Sequence, residues 1–181
     1  ADMYGKGKSE KLIGEVFSGM RNEVVISTKY SYDFENVDQI GHKELPQRFD
    51  PEFTNRALKN SLARLQTDYI DVYGLHNPKL RHIHDDTIFQ TLDGLIGDGK
   101  IKTYQVALGP AIGWTEEGIE AMERKNVSAV QTVYNILEQT PGNELIERGG
   151  GGRPRAIGIV KAYTRGWWRT TEAIGVVRGR A

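Results

Sequence analysis

Three side chains in this 181-residue sequence fall where a parallel sheet carries its chemistry, at the carboxyl ends of strands or in a loop leading into a helix. They are Tyr4, Lys29 and His76. Lys29 closes the run Val24-Val25-Ile26-Ser27-Thr28, and an ammonium buried at a strand end lowers the pKa of a neighbouring phenol by favouring the phenolate. The competing reading is a solvated lysine at a strand exit. His76 ends the run from Tyr69 to Leu75 ahead of Asn77-Pro78, where a neutral imidazole can donate to a substrate carbonyl or be held by backbone partners. Of the other histidines, His42, His82 and His84, the last two stand two apart in a loop before a helix, a spacing that brings no third ligand of its own. No metal site is expected.

The elements that must position these groups are legible over residues 1–147, where helical and strand patterns alternate as in repeated βα units around a parallel sheet. A first helix is expected from Ser9 as N-cap, with Glu10 favoured by the dipole of the first turn and Leu12, Ile13, Val16 and Phe17 on one apolar face. A strand over 23–28 follows, then a polar stretch from 30 to 50 that reads as a long binding loop or lid. Asp50 as N-cap and Pro51 at the first helical position open a second helix through Leu58, Leu62 and Leu65. Strands over 69–75, 101–108 and 127–133 alternate with helices over 85–96 and 116–124. A doubly wound open sheet and part of a (β/α)8 barrel both give this pattern, although a whole barrel takes about 250 residues.

Composition excludes several classes. With no cysteine there is no disulfide framework, thiolate metal site or cysteine nucleophile, and a cytoplasmic setting is compatible. No apolar run approaches the roughly 20 residues that cross a bilayer, and the first residues have no signal-peptide character, so no membrane partner is expected. The formal charge of +0 hides a division: residues 148–181 hold seven Arg and one Lys against Glu172, a balance of +7, which leaves −7 for residues 1–147. That basic segment also holds eight of the 21 glycines, with Trp167 and Trp168 adjacent. Strands are expected only weakly there, over 157–163 and, as strand or short helix, over 170–177. Two readings of it stand: a stretch translated in a shifted frame or joined from elsewhere, or a basic arm of the kind that contacts nucleic acid. The first is preferred, and nucleic acid is not the expected partner.

The opening ADMYGKGKSEKLIGEVF resembles the signature of the aldo-keto reductase family, in the branch with bacterial general stress reductases and potassium-channel β subunits. VVISTK, RLQTDYIDVYGLHNP, LIGDGKIKTYQVAL and SAVQTVYNILEQ resemble, in order, that family's third to sixth strand regions. The resemblance implies a partial (β/α)8 barrel over residues 1–147, about strands two to six, followed by the basic Gly/Arg-rich segment 148–181. It implies NADPH-dependent reduction of an aldehyde or ketone, with Tyr4 as general acid, Lys29 lowering its pKa, His76 orienting the carbonyl and Gln131 on the nicotinamide carboxamide. A catalytically silent member that binds nucleotide or a protein partner is the alternative. The family's aspartate five positions before the tyrosine would fall ahead of Ala1, and its Ser-Asn pair is replaced by Ala107-Leu108. Weak NADPH binding, low turnover and self-association through open sheet edges are therefore expected of the chain.

Overall fold

The computed structural model describes residues 1–37, 45–109, 113–124, 126–150, 156–159, 161–162 and 171–172. In chain order the elements are α1 (Lys8–Phe17), a 3-10 segment (Ser18–Glu23), β1 (Ser27–Tyr30), α2 (Pro51–Leu65), β2 (Ile70–His76), the single turn α3 (Leu80–Ile83), α4 (Asp86–Gly97), β3 (Ile101–Ala107), α5 (Thr115–Glu123), β4 (Val127–Thr132), α6 (Gly142–Gly150), β5 (Ala156–Ile159), β6 (Lys161–Ala162) and β7 (Thr171–Glu172). The fold class is α/β with a parallel sheet, as expected. Two units divide the chain: Ala1–His76 with His84–Tyr104, and Asn77–Ile83 with Gln105–Ala181.

In the first unit β1 pairs parallel with β2, in register from Ser27↔Val72 to Tyr30↔Leu75. The Ile70 N–H donates to the Lys100 carbonyl at 3.0 Å where β3 begins. Helix α2 starts where its sequence says, because the Asp50 carboxylate accepts the Phe53 N–H at 2.9 Å and Pro51 needs no partner there. Its inner face lies on an aromatic layer: Tyr30 stacks on Tyr73 with centroids 4.7 Å apart and meets Phe49 edge-on at 5.7 Å, while Thr54 donates to the Tyr30 hydroxyl at 3.0 Å. Asp85 caps α4 through the Thr87 N–H at 2.9 Å.

Four expectations are corrected in this unit. Helix α1 is capped by Gly7, at φ 85, and Ser9 lies inside the first turn with its N–H on the Tyr4 carbonyl. Its buried face is Glu10 and Gly14 rather than the branched residues, and Leu12 and Val16 are 50% and 65% exposed. The reason is a close helix crossing: a Cβ on Gly14 would stand 2.5 Å from the Arg64 carbonyl oxygen, so this face alone lets the backbones approach. The first strand begins at Ser27, after a 3-10 segment that ends at Glu23, and the Arg21 guanidinium of that segment holds the Val24 carbonyl at 3.0 Å, the Tyr69 carbonyl at 2.9 Å and Asp71 at 2.8 Å. Finally, the 30–50 stretch is not a free loop at its start. Tyr30, Ser31, Tyr32 and Asp33 are buried, and Asp33 accepts from Arg56 at 2.8 Å and Asn36 at 2.7 Å. Residues 38–44, with His42, lie outside the described residues.

In the second unit β4 pairs parallel with β5 from Ala129↔Ala156 to Thr132↔Ile159, and the Leu108 N–H donates to the Gln131 carbonyl at 2.8 Å. Helix α6 has no counterpart among the expected elements; it runs across the composition break at 148 and buries Leu145. Gly118 on α5 makes room for it, because a Cβ there would meet a Leu145 methyl at 2.8 Å. The strand expected over 157–163 starts at Ala156, and of 170–177 only β7 is described, antiparallel to β6; Trp167 and Trp168 lie outside the described residues. His82 sits in α3 rather than a loop, its Nδ1 accepting the Lys79 N–H at 3.0 Å. Among the described residues no group of three His, Asp or Glu is placed to hold a metal, and no helix is long and apolar enough to cross a membrane.

Candidate active site

Tyr4 sits in the turn that feeds α1, where Gly5, Lys6 and Gly7 all take positive φ (59, 52 and 85). Two glycines make that path accessible, since the left-handed region costs an L side chain about 1 kcal/mol or more. The turn is tied internally by the Lys6 N–H on the Met3 carbonyl at 2.9 Å and the Ser9 N–H on the Tyr4 carbonyl at 3.3 Å. Lys29 is the third residue of β1 and is buried; its register partner on β2 is Gly74. His76, also buried, is the last residue of β2, and its carbonyl accepts from the Gln47 side chain at 3.1 Å.

The first unit brings these three sequence-expected residues together. The Tyr4 and His76 rings meet edge-on at 5.8 Å and 87°, and the Lys29 Nζ lies 5.7 Å from the Tyr4 ring centroid. Gln131 belongs to the second unit, half-buried on β4 with Gly158 as register partner. Ala107 and Leu108, at and just after the end of β3, are buried and offer no polar side chain.

The structure adds five residues to the site that the sequence does not point to: Tyr32, Asp2, Glu10, Thr28 and Arg64. Tyr32 also meets the His76 ring edge-on, at 5.4 Å and 77°. Asp2 donates its N–H to the Lys29 carbonyl at 3.0 Å, and Glu10 is bound to both Thr28 and Arg64. Burial first, and then the charge of Glu10, push the Asp2 carboxyl up to about 7, against the opposing pull of the Met3 N–H and Arg64. Tyr32 was hidden by reading 30–50 as a polar loop. No local pattern announces the pairing of Glu10 with Arg64, which are 54 positions apart.

A phenol beside an ammonium and an imidazole is an arrangement for handing a proton to an oxygen and orienting it, which needs no metal ligand set. Residues 1–150 match the model of the Aldo/keto reductase family. The chain is 31% identical over 145 residues to aldo-keto reductase YhdN of Bacillus subtilis, covering 77% of this chain and 39% of that one. It is 28% identical over 152 residues to the NADH-specific methylglyoxal reductase of Escherichia coli, covering 79% and 45%. The solved holo form of aldo-keto reductase AKR11C1 from Bacillus halodurans aligns with a TM-score of 0.72 at 26% identity, over 87% of this chain and 49% of that one. Fold and matches define part of a (β/α)8 barrel. The chain belongs to the aldo-keto reductase family, and it spans less than half the length of these relatives.

Proposed function

We propose that the protein reduces small aldehydes or ketones to alcohols with NADPH, in a cytoplasmic setting. The observation that carries this reading is the meeting of Tyr4, Lys29 and His76 at the carboxyl ends of β1 and β2. The Tyr4 hydroxyl donates the proton to the carbonyl oxygen. Lys29 stabilises the phenolate left behind, which corrects the mismatch between an ordinary phenol, with a pKa near 10, and chemistry at neutral pH. His76 orients the carbonyl, and the Tyr32 ring packed edge-on against it limits the imidazole's freedom. A reduced nicotinamide, when bound, supplies the hydride. Among the described residues the family resemblance offers it one side chain, Gln131, for the carboxamide; Ala107 and Leu108 add none. The name of the E. coli relative supports a carbonyl substrate and makes NADH the comparison cofactor.

The test is oxidation of NADPH, and of NADH in parallel, with an aromatic aldehyde and with methylglyoxal, for the wild type and Tyr4→Phe. Loss of the proton donor is expected to lower kcat by about 10²–10⁴-fold with the cofactor KM unchanged. Activity that survives Tyr4→Phe, or no turnover with either cofactor on any aldehyde or ketone tried, would overturn the reading.

A further inference from the structure

Beneath the Tyr4 turn lies a buried polar joint that the proposed reaction does not use. Glu10, 1% exposed, accepts the Thr28 hydroxyl at 2.6 Å on one carboxylate oxygen and the Arg64 Nε at 2.7 Å on the other. Thr28 immediately precedes Lys29 on β1, Arg64 stands in the last turn of α2, and Glu10 is in the first turn of α1. One carboxylate thus joins three elements. Two further contacts extend the joint to the turn that carries Tyr4. The Asp2 N–H reaches the Lys29 carbonyl, and the Arg64 stem lies against Gly7, where an added Cβ would stand 2.7 Å from its Cδ. Arg64 is itself held from outside by Glu35 at 2.9 Å.

We propose that Glu10, acting through Thr28 and Arg64, is a positioning residue that sets the separation of Tyr4 from Lys29 and thereby the acidity of the Tyr4 phenol. The inference rests on the reading of Tyr4 as proton donor. Helix α1 leaves Leu12 and Val16 exposed and seats on α2 through Gly14, and the Glu10–Thr28 hydrogen bond ties it to β1. The Tyr4 turn is bonded to the first turn of α1, the Ser9 N–H donating to the Tyr4 carbonyl at 3.3 Å and the Lys11 N–H to the Gly7 carbonyl at 3.1 Å. Charged and titratable groups facing Tyr4 are Lys29 from β1 and His76 from β2, with Asp2 on its own turn and Glu10 and Arg64 behind.

The sign of one measurement separates positioning from charge. Neutralising Glu10 removes a negative charge near the phenol, which by electrostatics alone favours the phenolate and lowers its midpoint. Loosening Tyr4 from Lys29 does the reverse. The experiment titrates the Tyr4 resonance of the full chain labelled at tyrosine Cζ, assigned by its disappearance in Tyr4→Phe. Glu10→Gln is expected to raise the midpoint by about one pH unit, part of the effect of an adjacent ammonium. Thr28→Val, which removes one of the two bonds and keeps the side-chain shape, is expected to raise it by less; it decides the matter alone if Glu10→Gln does not fold. In variants with intact near-UV circular dichroism, a midpoint that stays or falls overturns the proposal, whatever the melting temperature does. Where turnover is measurable, kcat falls, the KM values hold and the alkaline limb of the pH profile moves with the midpoint. A wild type without turnover would sink the proposed function while leaving the titration to judge Glu10.

Discussion

Asp2 makes the stability of the protein depend on pH in the direction opposite to a paired carboxylate. The residue is 2% exposed, and its carboxyl is raised from 3.8 to about 7, chiefly by burial and secondly by Glu10. A folded-state pKa above the unfolded one means that the native state binds the proton more tightly. The stabilisation is therefore fully present below the unfolded value and is lost as pH rises through the folded one. A difference of about three pKa units at ~1.4 kcal/mol each gives about 4 kcal/mol lost across that window. Asp2→Asn keeps the shape and an acceptor for the Met3 N–H, which the Asp2 carboxylate takes at 2.6 Å. The variant should match the wild type near pH 4 and exceed it near pH 8 by most of that amount. Urea unfolding at a series of pH values, read as the free energy for both proteins, measures it directly. Parallel pH curves with the variant less stable at pH 8 would refute the reasoning and mean that Asp2 is ionised and held by Arg64.

Gly14→Ala forces a Cβ to within 2.5 Å of the Arg64 carbonyl oxygen, so α1 and α2 must part; a loss of about 1–3 kcal/mol in chemical denaturation is expected despite the better helix former, and no loss would contradict the close crossing. Asp71 is buried and accepts from the Ile26 N–H at 2.9 Å, Arg21 at 2.8 Å and Lys102 at 2.7 Å. Burial alone would raise its carboxyl, but the bonds from Lys102, Ile26 and Arg21 hold it below the usual carboxylate range. Its contribution is present above the unfolded pKa and lost as pH falls through the folded one, so Asp71→Ala should cost about 3 kcal/mol at pH 7 and less near pH 2, checked by urea melts at both values. Asp50→Ala removes the cap of α2 and should cost about 1 kcal/mol, with Asp50→Asn recovering most of it in the same assay.

What the sequence determined by itself is what neighbouring residues settle between themselves. Asp50-Pro51 and Asp85 start their helices where the caps stand, because an N-cap is satisfied within three positions. His76 falls at the end of β2 because Asn77, at φ 54, turns the chain there, and Lys29 lies at the exit of a β-branched run. Their placement on strand ends was legible for that reason, and the motif resemblance named Tyr4 as their companion. Only the tertiary structure decided which face of α1 is inside. Branched residues spaced for burial stay in water because Gly14 lets two helix backbones approach more closely than any side chain would allow. The strand continued to Tyr30 because Tyr73, Phe49 and Phe53 offer its ring a place, and 43 positions separate it from Tyr73. Glu10 was read as a carboxylate at a helix start, which is true of its sequence neighbours alone. Its charge is buried because Thr28 and Arg64, 18 and 54 positions away, supply its hydrogen bonds, and no local pattern encodes where residues so distant along the chain will meet.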